Sequence, residues 1–250
     1  METKRRQFQG VLNILSFNRH FYVVGTTILM AIILSQLYFD WSQTLLWIII
    51  GMFLYGFLMP LIVSAYIYDF SGYYNFDWLK PLQLEDSEEK QMVNINAGFD
   101  ETSYILKNKL PKSKLQVFDF YNAEQHTEPA IVRARKVSLT YPNTLQIKTN
   151  RIPLKTNSAD YVFLLSAAHE IRSFNEKVQF LKECRRICKP SGKVIMVEHL
   201  RDIPNFFAFT IGFTHFFSKK NWESAFKNAG FSRFKENKFT SFMTIFCYQP

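Results

Sequence analysis

Cysteine is scarce in this chain, with three residues in 250. Cys184 and Cys188 stand four apart on a helical pattern and Cys247 is alone, so no disulfide framework and no zinc-ligand spacing can be drawn. Reduced thiols packed in a core are expected. Helical metal motifs of the H-x-x-x-H or H-E-x-x-H kind are missing as well. Charge is missing from two long stretches: no Asp, Glu, Lys or Arg falls between Arg19 and Asp40, and none between Asp40 and Asp69. A stripe of Lys and Arg interleaved with aromatics on a recognisable RNA-binding module is also absent. The net charge of +9 therefore argues for an anionic membrane surface rather than nucleic acid.

What is plentiful is aromatic. Phe, Trp and Tyr make up 17% of the chain, with 26 Phe, heavy for a soluble enzyme. Residues 20–39 are free of charge and, at ~1.5 Å per residue, span about 30 Å, the hydrocarbon thickness of a bilayer. Their apolar side chains favour insertion by roughly 3–6 kcal/mol. Residues 44–68 form a second such span, with Pro60 as a kink and Gly51 and Gly56 as points of close helix contact. The link between them is short, which makes an antiparallel hairpin. Lys4, Arg5, Arg6 and Arg19 lie on one side of it, and the loop holds Asp40 but no Lys or Arg. By the positive-inside rule both termini, and the large domain that follows, are cytoplasmic, on a bacterial inner membrane. Residues 1–17 read as a short interfacial helix, and Tyr66, Tyr68, Tyr73, Tyr74, Phe76 and Trp78 as an aromatic belt. Residues 1–80 are thus expected to form the membrane anchor and 81–250 a separate domain.

That domain alternates strand and helix. Residues 162–165 are a short apolar run suited to a strand buried on both faces. Phe174, Val178, Leu181, Cys184 and Cys188 then recur at helical spacing, Pro190-Ser191-Gly192 supplies a turn, and residues 193–197 give the next strand. Residues 91–95, 115–119 and 144–148 read as further strands, and residues 231–235 and 241–248 as a terminal hairpin. In open α/β sheets ligands bind beyond the carboxyl ends of the strands. Asp119, His169, Glu170, Glu198 and His199 fall there, with His215 beyond.

The lead-in Ile152-Pro153 to Ser158-Ala159-Asp160, the strand after it and the turn Cys188-Lys189-Pro190-Ser191-Gly192 resemble the second half of class I S-adenosylmethionine-dependent methyltransferases, in the manner of methyltransferase type 11 domains. The resemblance covers roughly residues 91–250. It implies an α/β, Rossmann-like methyltransferase fold, a mixed seven-stranded sheet with an antiparallel terminal strand, here preceded by two transmembrane helices. It also implies S-adenosyl-L-methionine as cofactor. The turn Asn96, Ala97, Gly98, Phe99 corresponds to the family's G-x-G-x-G. Only the middle glycine is kept, with Asn96 and Asp100 in the outer places. Asp119 corresponds to the acid that holds the ribose hydroxyls. Phe120, Asn150 and Ser166 complete the cofactor set, Asn150 standing where the family often has an adenine-binding Asp.

His169, Glu170 and His199 are the candidates for a general base acting on the methyl acceptor. No metal is expected, because His169–Glu170 and Glu198–His199 are adjacent pairs that point apart if each lies in a strand. Two functions remain open. One is a membrane-anchored methyltransferase acting on a lipid-like or small-molecule acceptor at the bilayer. The other is a non-catalytic binding or assembly module of the same fold.

Overall fold

The computed structural model describes residues 5–126 and 128–250. Its strands are β1 (Gln91–Asn96), β2 (Lys114–Asp119), β3 (Leu145–Gln146), β4 (Ala159–Leu165), β5 (Cys188–His199), β6 (Arg233–Lys238) and β7 (Met243–Gln249). They form one sheet in the order β3-β2-β1-β4-β5-β7-β6. The first five run parallel, and β7 is antiparallel to both of its neighbours. The order reverses between β1 and β4, so the crevice beyond their carboxyl ends is the natural ligand position.

The helices are α1 (Gln9–Phe17), α2 (Arg19–Phe39), α3 (Gln43–Ser64), α4 (Ser103–Lys109), α5 (Pro129–Val137), α6 (Phe174–Ile187), α7 (Ile203–Phe209) and α8 (Lys219–Asn228). Phe180 and Leu181 of α6 and Trp222 and Phe226 of α8 bury against one face of the sheet. Ser173 caps α6 by accepting from the Glu176 amide. The expected turn at Pro190-Ser191-Gly192 lies inside β5 instead. Helix α6 ends at Ile187, and the strand starts at once, with a register slip opposite Ala159 and Tyr161. Gly192 is needed there, since a Cβ would stand 2.7 Å from the Asp160 carbonyl oxygen.

The other face of the sheet departs from the sequence expectation. Tyr73, Phe76 and Trp78, expected in an interfacial belt, are 1–3% exposed and pack with Ile67, Leu79 and Leu82 on Phe163, Ile195, Val197 and Ile245. The Trp78 indole donates to the Tyr73 carbonyl, 3.0 Å. An aromatic run suits a lipid interface and a sheet face equally well, because both bury a ring and leave its polar tip a partner. Here the sheet takes most of it, and only Tyr66 of that run stays exposed. The layer therefore crosses residue 80 rather than ending there.

Helices α2 and α3 are long and apolar enough to cross a membrane, by length and composition. No residue of α2 is buried, and of α3 only Leu46, Val63 and Ser64 are. Neither is buried along its length. They meet at Gly25, where a Cβ would press 2.7 Å into the Phe57 ring, and not at Gly51 or Gly56, which have nothing within 4 Å of a built Cβ. Helix α3 continues through Pro60 and passes into a π-helical turn, Ala65–Phe70. Helix α1 folds back onto the domain: the Gly10 amide donates to Asp69, and the Phe17 ring packs edge-on against Phe99, 5.3 Å between centroids.

Candidate functional site

Two groups of side chains sit beyond the carboxyl ends of the strands. The first is built on β1 and β2. At the end of β1 the chain turns at Gly98, whose φ of +79° favours glycine. A Cβ there would lie 2.9 Å from Asp119 Oδ2, so the turn passes directly under the carboxylate that ends β2. Asn96 and Asp100 do not enter this space. Asn96 Oδ1 accepts from the Gly98 amide, 2.8 Å, while its buried Nδ2 has no partner among the described residues. Asp100 Oδ1 accepts from the Thr102 and Ser103 amides at the start of α4.

Arg135 enters it instead. From α5, its Nη1 donates to Asp119 Oδ2 (2.7 Å) and to the Ala97 carbonyl (3.0 Å), and its guanidinium lies over the Tyr121 ring at 4.0 Å. A Cβ on Gly98 would fall 1.4 Å from Arg135 Nη1, so the guanidinium occupies the concavity above the glycine. Asp119 Oδ1 accepts from the Tyr121 amide. A carboxylate offers two oxygens with about four lone-pair sites, so this one suits a pair of neighbouring hydroxyls once Arg135 turns away. The residues present therefore fit the ribose of an adenosyl cofactor, with Arg135 standing in its place.

Of the other expected cofactor residues, Ala97 contributes the carbonyl that Arg135 holds, and Phe99 packs against α1. Phe120 is 1% exposed, its ring against Phe180 and His126, and belongs to the core. Asn150 lies exposed in the bend bridged by Lys148 and Arg151. Ser166 faces the aromatic layer, its hydroxyl 3.2 Å from that of Tyr73. Of these three, Phe120 still meets the turn through its backbone, its amide donating to the Asn96 carbonyl, 2.9 Å.

The second group is built on the ends of β4 and β5. His169 and Glu170 sit in a 3-10 turn, Ala168–Glu170, not in a strand, so their side chains converge. His169 Nδ1 lies 2.7 Å from Glu198 Oε2, and its amide donates to Glu198 Oε1 at 3.3 Å. His169 Nε2 faces Glu170 Oε1 at 3.6 Å. His215, at the end of the 3-10 segment Thr210–His215, sets Nδ1 2.8 Å from Glu128 and Nε2 4.0 Å from the same Glu170 oxygen. Arg172 Nη1 donates to the carbonyls of both His169 and His215, fixing the two loops together. Burial would lower the His169 pKa, but Glu198 and Glu170 outweigh it and raise it to about 10. Burial would raise that of Glu170, yet His169 holds it below its usual range. An imidazole held protonated cannot serve as a free general base at neutral pH, which corrects that expectation for His169.

His199 is corrected more fully. Its Nδ1–H donates to the Phe242 carbonyl, 3.0 Å, so Nε2 is left to accept from the Tyr68 hydroxyl, 2.8 Å. The ring stacks on Phe216. Burial pushes its pKa down to about 4. Both nitrogens are engaged, and the residue ties the end of β5 to the turn below α3. Sequence reasoning did not single out Glu128 or Arg172, and Arg135 reads there as a solvated residue of a basic helix.

Comparison with known proteins now bears on this arrangement. Residues 113–196, about a third of the chain, match the methyltransferase domain family. Human N-acetylserotonin methyltransferase, solved in complex with SAM, has 15% identity and a TM-score of 0.55, the likeness covering 100% of this chain and 72% of that one. A putative O-methyltransferase from Nostoc punctiforme PCC 73102 has 16% identity and a TM-score of 0.55, covering 95% and 71%. The PH0226 protein from Pyrococcus horikoshii OT3 has 17% identity and a TM-score of 0.50, covering 70% and 89%. No curated protein sequence matches the chain. The chain has the Rossmann-like methyltransferase fold, and the domain match supports S-adenosylmethionine as cofactor.

Proposed function

We propose that the protein is a membrane-anchored, S-adenosylmethionine-dependent methyltransferase whose acceptor is a lipid-soluble or membrane-surface molecule. The observation that carries the cofactor half is the Asp119 carboxylate set directly above the Gly98 turn at the β1–β2 edge of the switch point. When bound, the cofactor supplies an electrophilic methyl on sulfur. Asp119 holds the ribose, and the turn at residues 96–99 lets the backbone approach. Methyl transfer depends chiefly on alignment of nucleophile, carbon and sulfur, so the reaction needs no obligatory base.

The acceptor half rests on the surface beside the second group. Ile203, Phe206, Phe207 and Ile211 are each about half exposed or more, in the segment that ends at His215. The Tyr55 hydroxyl of α3 donates to the Phe207 carbonyl, 2.7 Å, which makes this patch continuous with the bare apolar surface of the two long helices. A bilayer covering both would bring lipid to the mouth of the site. On this reading the basic residues flanking α2 keep both termini and the domain on the cytoplasmic side.

The Arg135–Asp119 contact favours a second reading, a non-catalytic module of the same fold in which the arginine closes the ribose position permanently. Calorimetry of S-adenosylmethionine with the full chain in detergent separates the two. Saturable binding that Asp119→Ala abolishes supports the enzyme, whereas no binding at millimolar cofactor leaves the module.

A further inference from the structure

We propose that His169, Glu170 and His215 form a site for a divalent first-row transition metal, with Glu198 and Glu128 as its supporting carboxylates. The three side chains present one ligand atom each, all within 4.8 Å of one another. Two features distinguish this from a chance cluster of charges. Each imidazole has its Nδ1 against a carboxylate, His169 on Glu198 and His215 on Glu128, and each therefore aims Nε2 at the same oxygen of Glu170. That is the arrangement by which an outer carboxylate fixes the tautomer and raises the basicity of a metal-binding histidine. Second, Arg172 clamps the backbone carbonyls of both histidines, so the two ligand loops are held at fixed separation before any ion arrives.

The donor set decides the class of ion. Two imidazole nitrogens and one carboxylate oxygen suit Zn²⁺, Fe²⁺, Co²⁺ or Mn²⁺ and not the all-oxygen shells of Ca²⁺ or Mg²⁺. Metal–ligand bonds of about 2.0–2.2 Å put neighbouring donors about 3–3.5 Å apart. The 3.6 and 4.0 Å separations here lie close to that, and the whole set spans no more than 4.8 Å. Three carboxylates, Glu128, Glu170 and Glu198, face the two imidazoles, and a dication that binds with loss of the imidazole protons takes over the charge those carboxylates require. Three protein ligands leave coordination positions open, as at catalytic rather than structural sites.

The site lies at the ends of β4 and β5, next to the strand ends that carry the proposed cofactor position. Its role, which rests on the methyl-transfer reading, is to bind the acceptor's hydroxyl, thiol or amine and lower its pKa. The proton passes to water, and the freed lone pair forms the bond to the methyl carbon. The electrons of the broken carbon–sulfur bond return to sulfur.

The test uses the full chain without a histidine tag, in phosphatidylglycerol–phosphatidylethanolamine nanodiscs, stripped with a chelator and titrated with Co²⁺. We expect one Co²⁺ per chain with visible ligand-field absorption, displaced by one equivalent of Zn²⁺. His169→Gln and His215→Gln should each weaken binding at least a hundredfold, and Glu198→Gln roughly ten- to hundredfold. Cobalt-edge X-ray absorption on the wild type should count two imidazoles, a readout that needs no variant to fold. Fewer than two imidazoles, or stoichiometric binding that survives the double histidine substitution, would overturn the site, as would no Co²⁺ binding by the folded chain. Asp119→Ala should lose S-adenosylmethionine and keep Co²⁺, so failure of the cofactor reading and failure of the metal site give different results.

Discussion

Arg135 of α5 donates to Asp119 across 2.7 Å, in the place where an adenosyl ribose would make the same contact. Charge-assisted hydrogen bonds of this kind contribute about 1.5–3 kcal/mol. A cofactor must displace this one before it binds. We expect Arg135→Ala to tighten S-adenosylmethionine binding roughly tenfold, measured by calorimetry on the full chain. A weaker affinity would show instead that the guanidinium moves aside and becomes a cofactor ligand.

The Tyr68–His199 hydrogen bond gives a second prediction. Tyr68→Phe leaves a buried imidazole nitrogen without its donor, a loss of about 1–3 kcal/mol, and the thermal midpoint should fall accordingly. If His199 acts only in structure, turnover per folded molecule at a temperature well below that midpoint should stay as in the wild type. A pH–rate profile shifted by the substitution would return His199 to the reaction.

How much of this was legible in the sequence depends on what kind of signal each residue carries. The βαβ unit from β4 to β5 was readable because its periodicities are local: a run of apolar residues and a 3.6-residue stripe. The mixed, seven-stranded sheet with its antiparallel terminal strand followed from the family resemblance, whereas the strand order came only from the structure. His169 and Glu170 were placed at the right edge but in the wrong conformation, because strand alternation sends neighbours apart and a 3-10 turn does not. Arg135 was not legible, since a long flexible side chain on an amphipathic helix reads as solvated until its partner's position is known. Tyr73, Phe76 and Trp78 were misplaced because composition alone does not separate a lipid interface from a sheet face.

Lys177 supplies the pH prediction. It is fully buried, its ammonium 3.0 Å from the Phe217 ring centroid and close to the Trp222 ring, bonded to Asn221 and facing the charges of Arg172 and Glu198. Burial lowers its pKa to about 7. Between that value and the ordinary lysine pKa near 10.4 the unfolded chain binds the extra proton, so stability rises with pH across that window. Below it the cost of burying the charge is fully present. Lys177→Met should stabilise the protein at pH 7, by on the order of 2 kcal/mol, and flatten the rise in thermal midpoint from pH 7 to pH 9. A wild-type midpoint that does not rise with pH would refute the assignment.

The exposed pair Phe206 and Phe207 allows the membrane half to be tested without disturbing the core. The double substitution to Ala removes apolar area worth about 25 cal/mol per Å² of contact with lipid. We expect a several-fold higher KM for an acceptor presented in vesicles, with unchanged affinity for S-adenosylmethionine. An effect on cofactor binding alone would place the two rings in the pocket rather than the bilayer.

The aromatic layer under the sheet has a consequence for how such a protein can evolve and be handled. Tyr73, Phe76, Trp78 and Leu82 form the floor of the globular part, yet they are continuous in the chain with the second long apolar helix. Cutting at residue 80 would leave Phe163, Ile195, Val197 and Ile245 bare, an apolar face that invites aggregation. The apolar helices and the globular part are therefore inherited as one piece. Recombination that exchanged the N-terminal segment for another anchor would have to bring its own floor, and a water-soluble version must begin before the floor, not after it.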